Sequence, residues 1–312
     1  VSATRIAIVP ATSNPSEDQP VAIVGTGAIG TMLAGYLAEA GRPVLVCGRP
    51  IDAVTIEDGS GSRSYEVGHL FDPGDLPPVR WAILATKIPQ TVDVAGWLAA
   101  FGPDVTVVVA QNGIDHQQRI GSLTRAAVVP VLVFKSAERL GAGRVRVGDF
   151  GRGLVLPDDS AARATAKFLA ETGLPVETSA DFTTEAWVKL LINVALNPIT
   201  ALTGRRLEVM RLMPIADLAY SLALETAAVA RAAGAELSDG QALEWVDMLR
   251  ALPPSTSSSM LADRLAGRAL EHDGIVGPVV RFGEFHGIPT PVSRAVLALL
   301  GALAPPDSLA QS

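Results

Sequence analysis

From Val21 onward, short apolar runs alternate with longer amphipathic stretches. Val21 to Val24 is a four-residue apolar run, the length of a buried strand and too short for a helix. Ala28 to Ala40 follows with apolar residues at helical spacing, and Pro43 to Cys47 reads as a second strand. Two shorter, more polar strands are predicted around Thr55 and Tyr65. Trp81 to Thr86 is strongly apolar, and Val105 to Ala110 is β-branched almost throughout, as expected of central parallel strands covered on both faces. Between them, Pro89 suits the first turn of a helix reaching about Ala100. The runs at 127–134, 144–148 and 153–157 read as continuing the same sheet, with a turn to antiparallel pairing. Ser160 to Glu171 is a helix, and Pro175 to Thr178 a last edge strand. Strands alternating with helices predict a doubly wound α/β domain.

Near Asp181 the pattern changes. No long β-branched run remains, and helical periodicity covers 182–202, 206–233, 241–252, 259–270, 276–286 and 292–300. The expected fold is α/β: an N-terminal Rossmann-type dinucleotide-binding domain over residues 1–180 and a C-terminal all-helical domain over 181–312. Residues 1–20 stand apart as an extra segment, with "RIAIVP" as a short strand and "ATSNPSEDQP" as a polar linker. "PPSTSSS" (253–259) reads either as a linker or as a loop lining a cleft.

Composition narrows the function. With 312 residues, 48% of them hydrophobic, the chain can build two cores. A formal charge of -7 gives no support for nucleic acid as a partner. The single cysteine, Cys47, excludes an intrachain disulfide, and the histidines at 69, 116, 272 and 286 have no metal-ligand spacing. With no signal-peptide pattern and no run of about eighteen uncharged apolar residues, neither membrane span nor export is expected, and the location expected is cytoplasmic.

The first strand runs into Gly25-Thr26-Gly27-Ala28-Ile29-Gly30, a GxGxxG between strand and helix. In that context Gly25 permits a tight turn, Gly27 lets backbone approach a pyrophosphate, and Gly30 permits close packing of the helix. The helix N-terminus then offers free N–H groups to phosphate. No acidic residue stands at Val46, Cys47 or Gly48 to grip a ribose hydroxyl. Arg49 stands there instead, suited to a 2′-phosphate, so NADPH is expected over NADH, with Asp52 as the counter-indication. Lys87 and Asn112 stand just past two other strand ends, where ligands of such sheets bind.

The helix "TEAWVKLLINVALNPIT" poses a further question. Lys189, Asn193 and Asn197 are each four residues apart, so they share one face among hydrophobes. A lysine enclosed in this way needs a partner or a task. It could donate a proton to a developing alkoxide and stabilise it, with the asparagines donating to substrate oxygens. The alternative is a surface pair between Glu185 and Lys189. Pro198 also removes a helical N–H, which could kink the helix. Further on, Ser259 could cap a helix beginning at Met260, Asp263 follows four residues later, and Glu271 and Asp273 come after the helix. A carboxylate near Lys189 would hold its ammonium.

Together with "ATK" (85–87), "QNG" (111–113), "SSM" (258–260) with Asp263, Glu271-x-Asp273-x-Ile275-x-Gly277 and "HGIPTP" (286–291), these residues resemble the ketopantoate reductase (2-dehydropantoate 2-reductase) family from about Val21 to Leu300. The resemblance implies NADPH-dependent reduction of the 2-oxo group of ketopantoate to pantoate, in pantothenate biosynthesis, between the two domains. It implies Lys189 as the catalytic lysine and Glu271 as the glutamate that assists it and meets the substrate hydroxyl. Asn193 and Asn197 would bind substrate, Ser259 its carboxylate, and Asn112 would sit where cofactor and substrate meet. Gly25 to Gly30, Arg49 and Lys87 would hold NADPH, and Asp263 would support the site. The partner implied is a small 2-oxo acid, on a monomer or a homodimer. Two alternatives stand beside it: a reductase of another 2-oxo acid or opine-type substrate, and an NADPH sensor with no need of Lys189 and Glu271.

Overall fold

The apolar runs become the centre of a parallel sheet. A computed structural model describes residues 19–148 and 152–303; the predicted strand at 5–10 lies outside them. In chain order come β1 (Val21–Val24), α1 (Ala28–Glu39), β2 (Val44–Cys47), β3 (Ala53–Asp58), β4 (Gly61–Glu66), β5 (Gly68–Leu70), β6 (Trp81–Leu84), α2 (Ala95–Ala100), β7 (Thr106–Val109), α3 (His116–Ile120) and β8 (Ala127–Pro130). Six of these strands form one sheet in the order β5-β2-β1-β6-β7-β8, every neighbour parallel. All four residues of β1 are buried, which explains its unbroken apolar sequence. One face of the sheet packs Ile23, Met32, Leu33 and Ile83, and the other packs Val24, Leu98, Phe101 and Val107.

The later strands do not continue this sheet. They are β9 (Leu132–Val133), β10 (Ala137–Gly141), β11 (Arg144–Val147), β12 (Leu154–Pro157) and, after α4 (Ser160–Ala170), β13 (Val176–Ser179). A second sheet runs β10-β11-β3-β4 and a third β13-β12-β9. The reason is visible in β11, where Arg144 and Arg146 are exposed and Val145 and Val147 buried. That alternation suits a sheet covered on one face, and α1 covers it: a Cβ on Gly35 would lie 2.8 Å from Ile56 Cγ1 of β3. The helix expected from Pro89 to Ala100 is two 3₁₀ turns, Ile88–Gln90 and Val92–Val94, followed by α2.

Beyond Asp181 the described structure is helical: α5 (Phe182–Thr203), α6 (Met213–Ala232), α7 (Asp239–Ala251), α8 (Ser259–Leu265), α9 (His272–Ile275), α10 (Gly277–His286) and α11 (Pro291–Ala302). The Asp181 carboxylate caps α5 by accepting from Thr184 N at 3.1 Å, and Gly204 ends it in the left-handed region at φ 68°. The helix runs through Pro198 unbroken. By length and composition α5 could cross a bilayer, but it is the central core helix here, packing Trp187, Leu190, Leu191 and Val194 against Leu222, Ala223 and Met260. The helix expected over 206–233 breaks at extended Leu212, and the one expected over 259–270 stops at Leu265, before Gly267 at φ 63°. The 253–258 segment is no loose linker. Its carbonyls at Pro254 and Thr256 accept from Glu208 N and Leu207 N at 3.1 and 3.0 Å. Leu132, Val155 and Ala186 pack α5 against the third sheet and join the two halves.

Candidate active site

At the carboxyl edge of the parallel sheet, β1 turns into α1 through Gly25 at φ 103°. A Cβ there would lie 2.6 Å from Thr86 N, and one on Gly30 would lie 1.9 Å from Gly25 O. Both positions therefore exclude a side chain. The close approach at Gly30 is to the turn itself rather than to the sheet. Before Gly27 the space is open: its nearest atom to a Cβ would be Ala85 O at 3.9 Å. Gly27 caps α1 without a side chain, and the first turn holds no acidic residue. Its N–H groups and dipole are thus available to an anion, and a pyrophosphate fits this cradle. Thr26 lends its carbonyl to the Thr31 hydroxyl at 3.3 Å.

Arg49 follows β2 by two residues, exposed and without a partner among the described residues. Asp52 is exposed nearby, at the entry to β3. Beside them stands Phe71, 73% exposed just past β5, its ring edge-on to His69 at 4.0 Å.

Across the sheet edge, β6 and β7 deliver Lys87 and Asn112 to a carboxylate from the helical domain. Glu271 is 4% exposed and therefore needs partners. It accepts from Lys87 Nζ at 2.8 Å, Ile88 N at 3.2 Å and Asn112 Nδ2 at 3.1 Å. Asp263, equally buried, pairs with Lys87 at 3.1 Å and with Arg268 at 2.9 Å. Burial alone would lower the pKa of Lys87; the charges of Glu271 and Asp263 outweigh it and hold the pKa above the ordinary lysine value.

Lys189 differs. The expectation that Glu271 holds it is not met: Glu271 is ion-paired to Lys87 instead. Among the described residues the Lys189 ammonium has no hydrogen bond or ion pair and lies 5.7 Å from the centre of the Phe134 ring. Burial pushes its pKa down from 10.5 to about 8, against the opposing charge of Glu271. Nor does Glu185 take it, because Glu185 pairs with Arg152 at 2.7 Å. Asn193 is half-buried and Asn197 is buried, and neither side chain has a hydrogen bond among the described residues. Lys189, Asn193 and Asn197 thus stand on one face of α5 with no side-chain hydrogen-bond partner among the described residues. Ser258, not Ser259, caps α8, its hydroxyl accepting from Leu261 N at 3.0 Å. That leaves Ser259 exposed one turn before Asp263, on the same face of α8.

Three parts of this neighbourhood gave no motif. Ile88 contributes a backbone N–H. Phe134 follows β9 and offers its ring to both Lys189 and Arg152, at 5.7 and 5.8 Å. His116 is buried, and its Nε2 donates to Gln111 O at 3.0 Å, a direction fixed because a carbonyl can only accept. Burial pushes its pKa down to about 4, so it is neutral near pH 7 and leaves Lys189 the cation. Among the described residues no group of three or more His, Cys, Asp or Glu side chains could hold a metal ion.

A phosphate cradle on a parallel sheet, closed by a helical domain through a lysine–carboxylate cluster, defines a dinucleotide-dependent oxidoreductase. Residues 21–157 match the family model described as ketopantoate reductase PanE/ApbA, and 181–304 match that of its C-terminal part. A 2-dehydropantoate 2-reductase of Mycobacterium tuberculosis is 38% identical over 90% of this chain and 97% of its own length. The Caulobacter vibrioides protein of the same name is 36% identical over 91% and 99%. The crystal structure of a PanE/ApbA family ketopantoate reductase from Ralstonia eutropha superposes with a TM-score of 0.82 at 31% identity, covering 91% of this chain and 98% of that one. The chain belongs to the ketopantoate reductase family.

Proposed function

We propose that the protein reduces the 2-oxo group of 2-dehydropantoate to the 2-hydroxy acid with NADPH, and that Lys189 and Glu271 carry the protein's share of the chemistry. The observation that supports this most is an uncompensated lysine, Lys189, within electrostatic reach of a buried carboxylate, Glu271, that Lys87 already satisfies. Lys87, Lys189 and Arg268 supply three positive charges, and Asp263 and Glu271 two negative, so the cluster carries a net charge of +1. One anionic 2-oxo acid would neutralise it.

NADPH, when bound, supplies the hydride. The chain's own part is position and charge. Gly25 to Gly30 with the start of α1 would hold the pyrophosphate, and Arg49 would meet the 2′-phosphate. Asn112, bonded to Glu271 through Nδ2, would lie where the cofactor meets the substrate. Lys189 stabilises the negative charge developing on the carbonyl oxygen and delivers the proton to it. Asn193, Asn197 and Ser259 receive the substrate's oxygens, and Asp263 holds Lys87. The identities of the named relatives favour ketopantoate over other 2-oxo acids.

The test is NADPH oxidation with ketopantoate beside a panel of other 2-oxo acids, run with wild type and Lys189→Ala. Turnover of ketopantoate that is lost in K189A, with NADPH still bound, is expected. Turnover of a different acid alone would overturn the substrate assignment. An unaltered K189A rate would overturn the role of Lys189.

A further inference from the structure

Beside the lysine–carboxylate cluster, a second network crosses between the domains, and the proposed chemistry uses none of Arg119, Asp115, Asp273 and Arg281 within it. Arg281 of α10 donates to Asp273 Oδ1 at 2.8 Å and to Asp273 O at 3.2 Å. Its Nη2 also donates across the domain boundary to Asp115 Oδ2 at 3.2 Å. Asp115 is held in turn by Arg119 Nε at 2.8 Å. Arg119 then donates to Gln111 Oε1 at 2.8 Å and to Asn112 O at 3.3 Å. Asn112 Nδ2 reaches Glu271, and Glu271 lies two residues before Asp273. The path closes on itself: Glu271, Asn112, Arg119, Asp115, Arg281, Asp273 and back to Glu271.

Gly113 and Gly274 come close inside this ring, and Ile88 packs its side chain on Gly274. A Cβ on Gly113 would lie 3.0 Å from Gly274 O, and one on Gly274 would lie 2.1 Å from Ile88 Cδ1. Burial pushes the Asp115 carboxyl up, but Arg119 and Arg281 outweigh it and hold it below the usual carboxylate range, so it stays ionised. Arg281 is itself 44% exposed, so replacing it opens no core cavity.

We infer that Arg281 is a positioning residue: its fork holds the loop carrying Glu271 against the loop carrying Asn112, and so sets the geometry between the two domains. Arg suits this better than Lys, because one planar group binds a carboxylate, a carbonyl and a second carboxylate in fixed directions. Asp115 and Arg119 act in the same unit. Of the ring, only Asn112 is proposed to meet NADPH, and its carbonyl is held by Arg119, which R281M leaves in place. The inference rests on the proposed reaction only in its rate measurement.

The experiment compares Arg281→Met, Arg281→Lys, Asp115→Asn and the double variant R281M/D115N. R281M is expected to lower kcat on the order of tenfold while the Kd for NADPH, read by fluorescence titration, stays within about twofold. D115N gives a similar loss, the double variant no further loss, and R281K recovers part of it. Hydrogen exchange at Ile88, whose amide donates to Glu271, rises in R281M; this needs no turnover. If the wild type reduces no 2-oxo acid, the reaction assigned above fails, and the exchange result alone decides this inference. Unchanged kcat and exchange in R281M would overturn it, as would additive losses accompanied by an equal loss of NADPH affinity.

Discussion

Lys189→Met separates the electrostatics of the site from its chemistry. Burial pushes the Lys189 pKa down from 10.5 to about 8, so the folded chain holds that proton less tightly than the unfolded chain does. Below about pH 8 both states are protonated, and the folded state bears the full cost. At about 1.36 kcal/mol per pH unit between the two values, that cost is about 3 kcal/mol. It shrinks as pH rises from about 8 to 10.5 and is absent above that. Methionine has a similar length and no charge, and it forfeits only the Phe134 contact, worth about 0.5–2 kcal/mol.

K189M is therefore expected to be more stable than wild type near neutral pH, by about 1–3 kcal/mol, while turnover falls about 10²–10³-fold. Denaturant unfolding of both proteins across the pH range from neutral to 10.5 measures the difference. It should be largest below pH 8 and narrow steadily above it. A K189M protein less stable than wild type at neutral pH, or a gap that ignores pH, would refute the picture of a desolvated, unpaired ammonium. It would indicate instead that Lys189 is paired in solution.

On the proposed reading the ammonium is the working form, so kcat/KM falls about tenfold per pH unit above pH 8; E271Q removes a charge that raises this pKa, and a pH–rate profile should show the alkaline limb moved to lower pH. Arg49→Ala should weaken NADPH about 10–100-fold and leave NADH nearly unchanged in fluorescence titrations, since a charge-assisted contact is worth about 1.5–3 kcal/mol; equal losses for both cofactors would remove Arg49 from the 2′-phosphate. Gly30→Ala places a Cβ 1.9 Å from a carbonyl oxygen, so calorimetry should find NADPH binding abolished or the melting temperature clearly lowered; a variant unchanged in both would contradict the packing described.

Periodicity carried most of the fold. Five of the six parallel strands and the change of texture near Asp181 follow from apolar runs and helical spacing; the sixth, β5, is Gly-His-Leu and has no apolar run to mark it. The two smaller sheets were not legible, because pairing partners far apart in sequence, such as β11 with β3, leave no local mark. A left-handed glycine decided where α8 ends, and a glycine reads alike inside and after a helix. In the site, motifs brought together Lys87, Asn112, Lys189, Asp263 and Glu271, yet a motif names residues and not their partners. The choice of Ser258 over Ser259 as the cap, and the bond from Ile88 N to Glu271, depend on backbone direction. Asp115 and Arg281 lie 166 positions apart, with no pattern to link them.

The partner of Glu271 changes what the cleft can do. Had the carboxylate paired with Lys189, that lysine's charge would be compensated before any substrate arrived, and the carboxylate would oppose an incoming anion. In the observed arrangement Lys87 compensates Glu271 with help from Ile88 and Asn112, and Lys87 with Arg268 compensates Asp263. Lys189 is left charged but desolvated, a costly state that an anion relieves. The carboxylate of a 2-oxo acid would bring a negative charge close to Lys189, strengthen its hold on the proton and so favour its ammonium form when a carbonyl is at hand to receive the proton. On the proposed reading, the cost of burying Lys189 uncompensated would be what favours an anionic substrate, and the paired Lys87 keeps Glu271 in place without drawing on that charge.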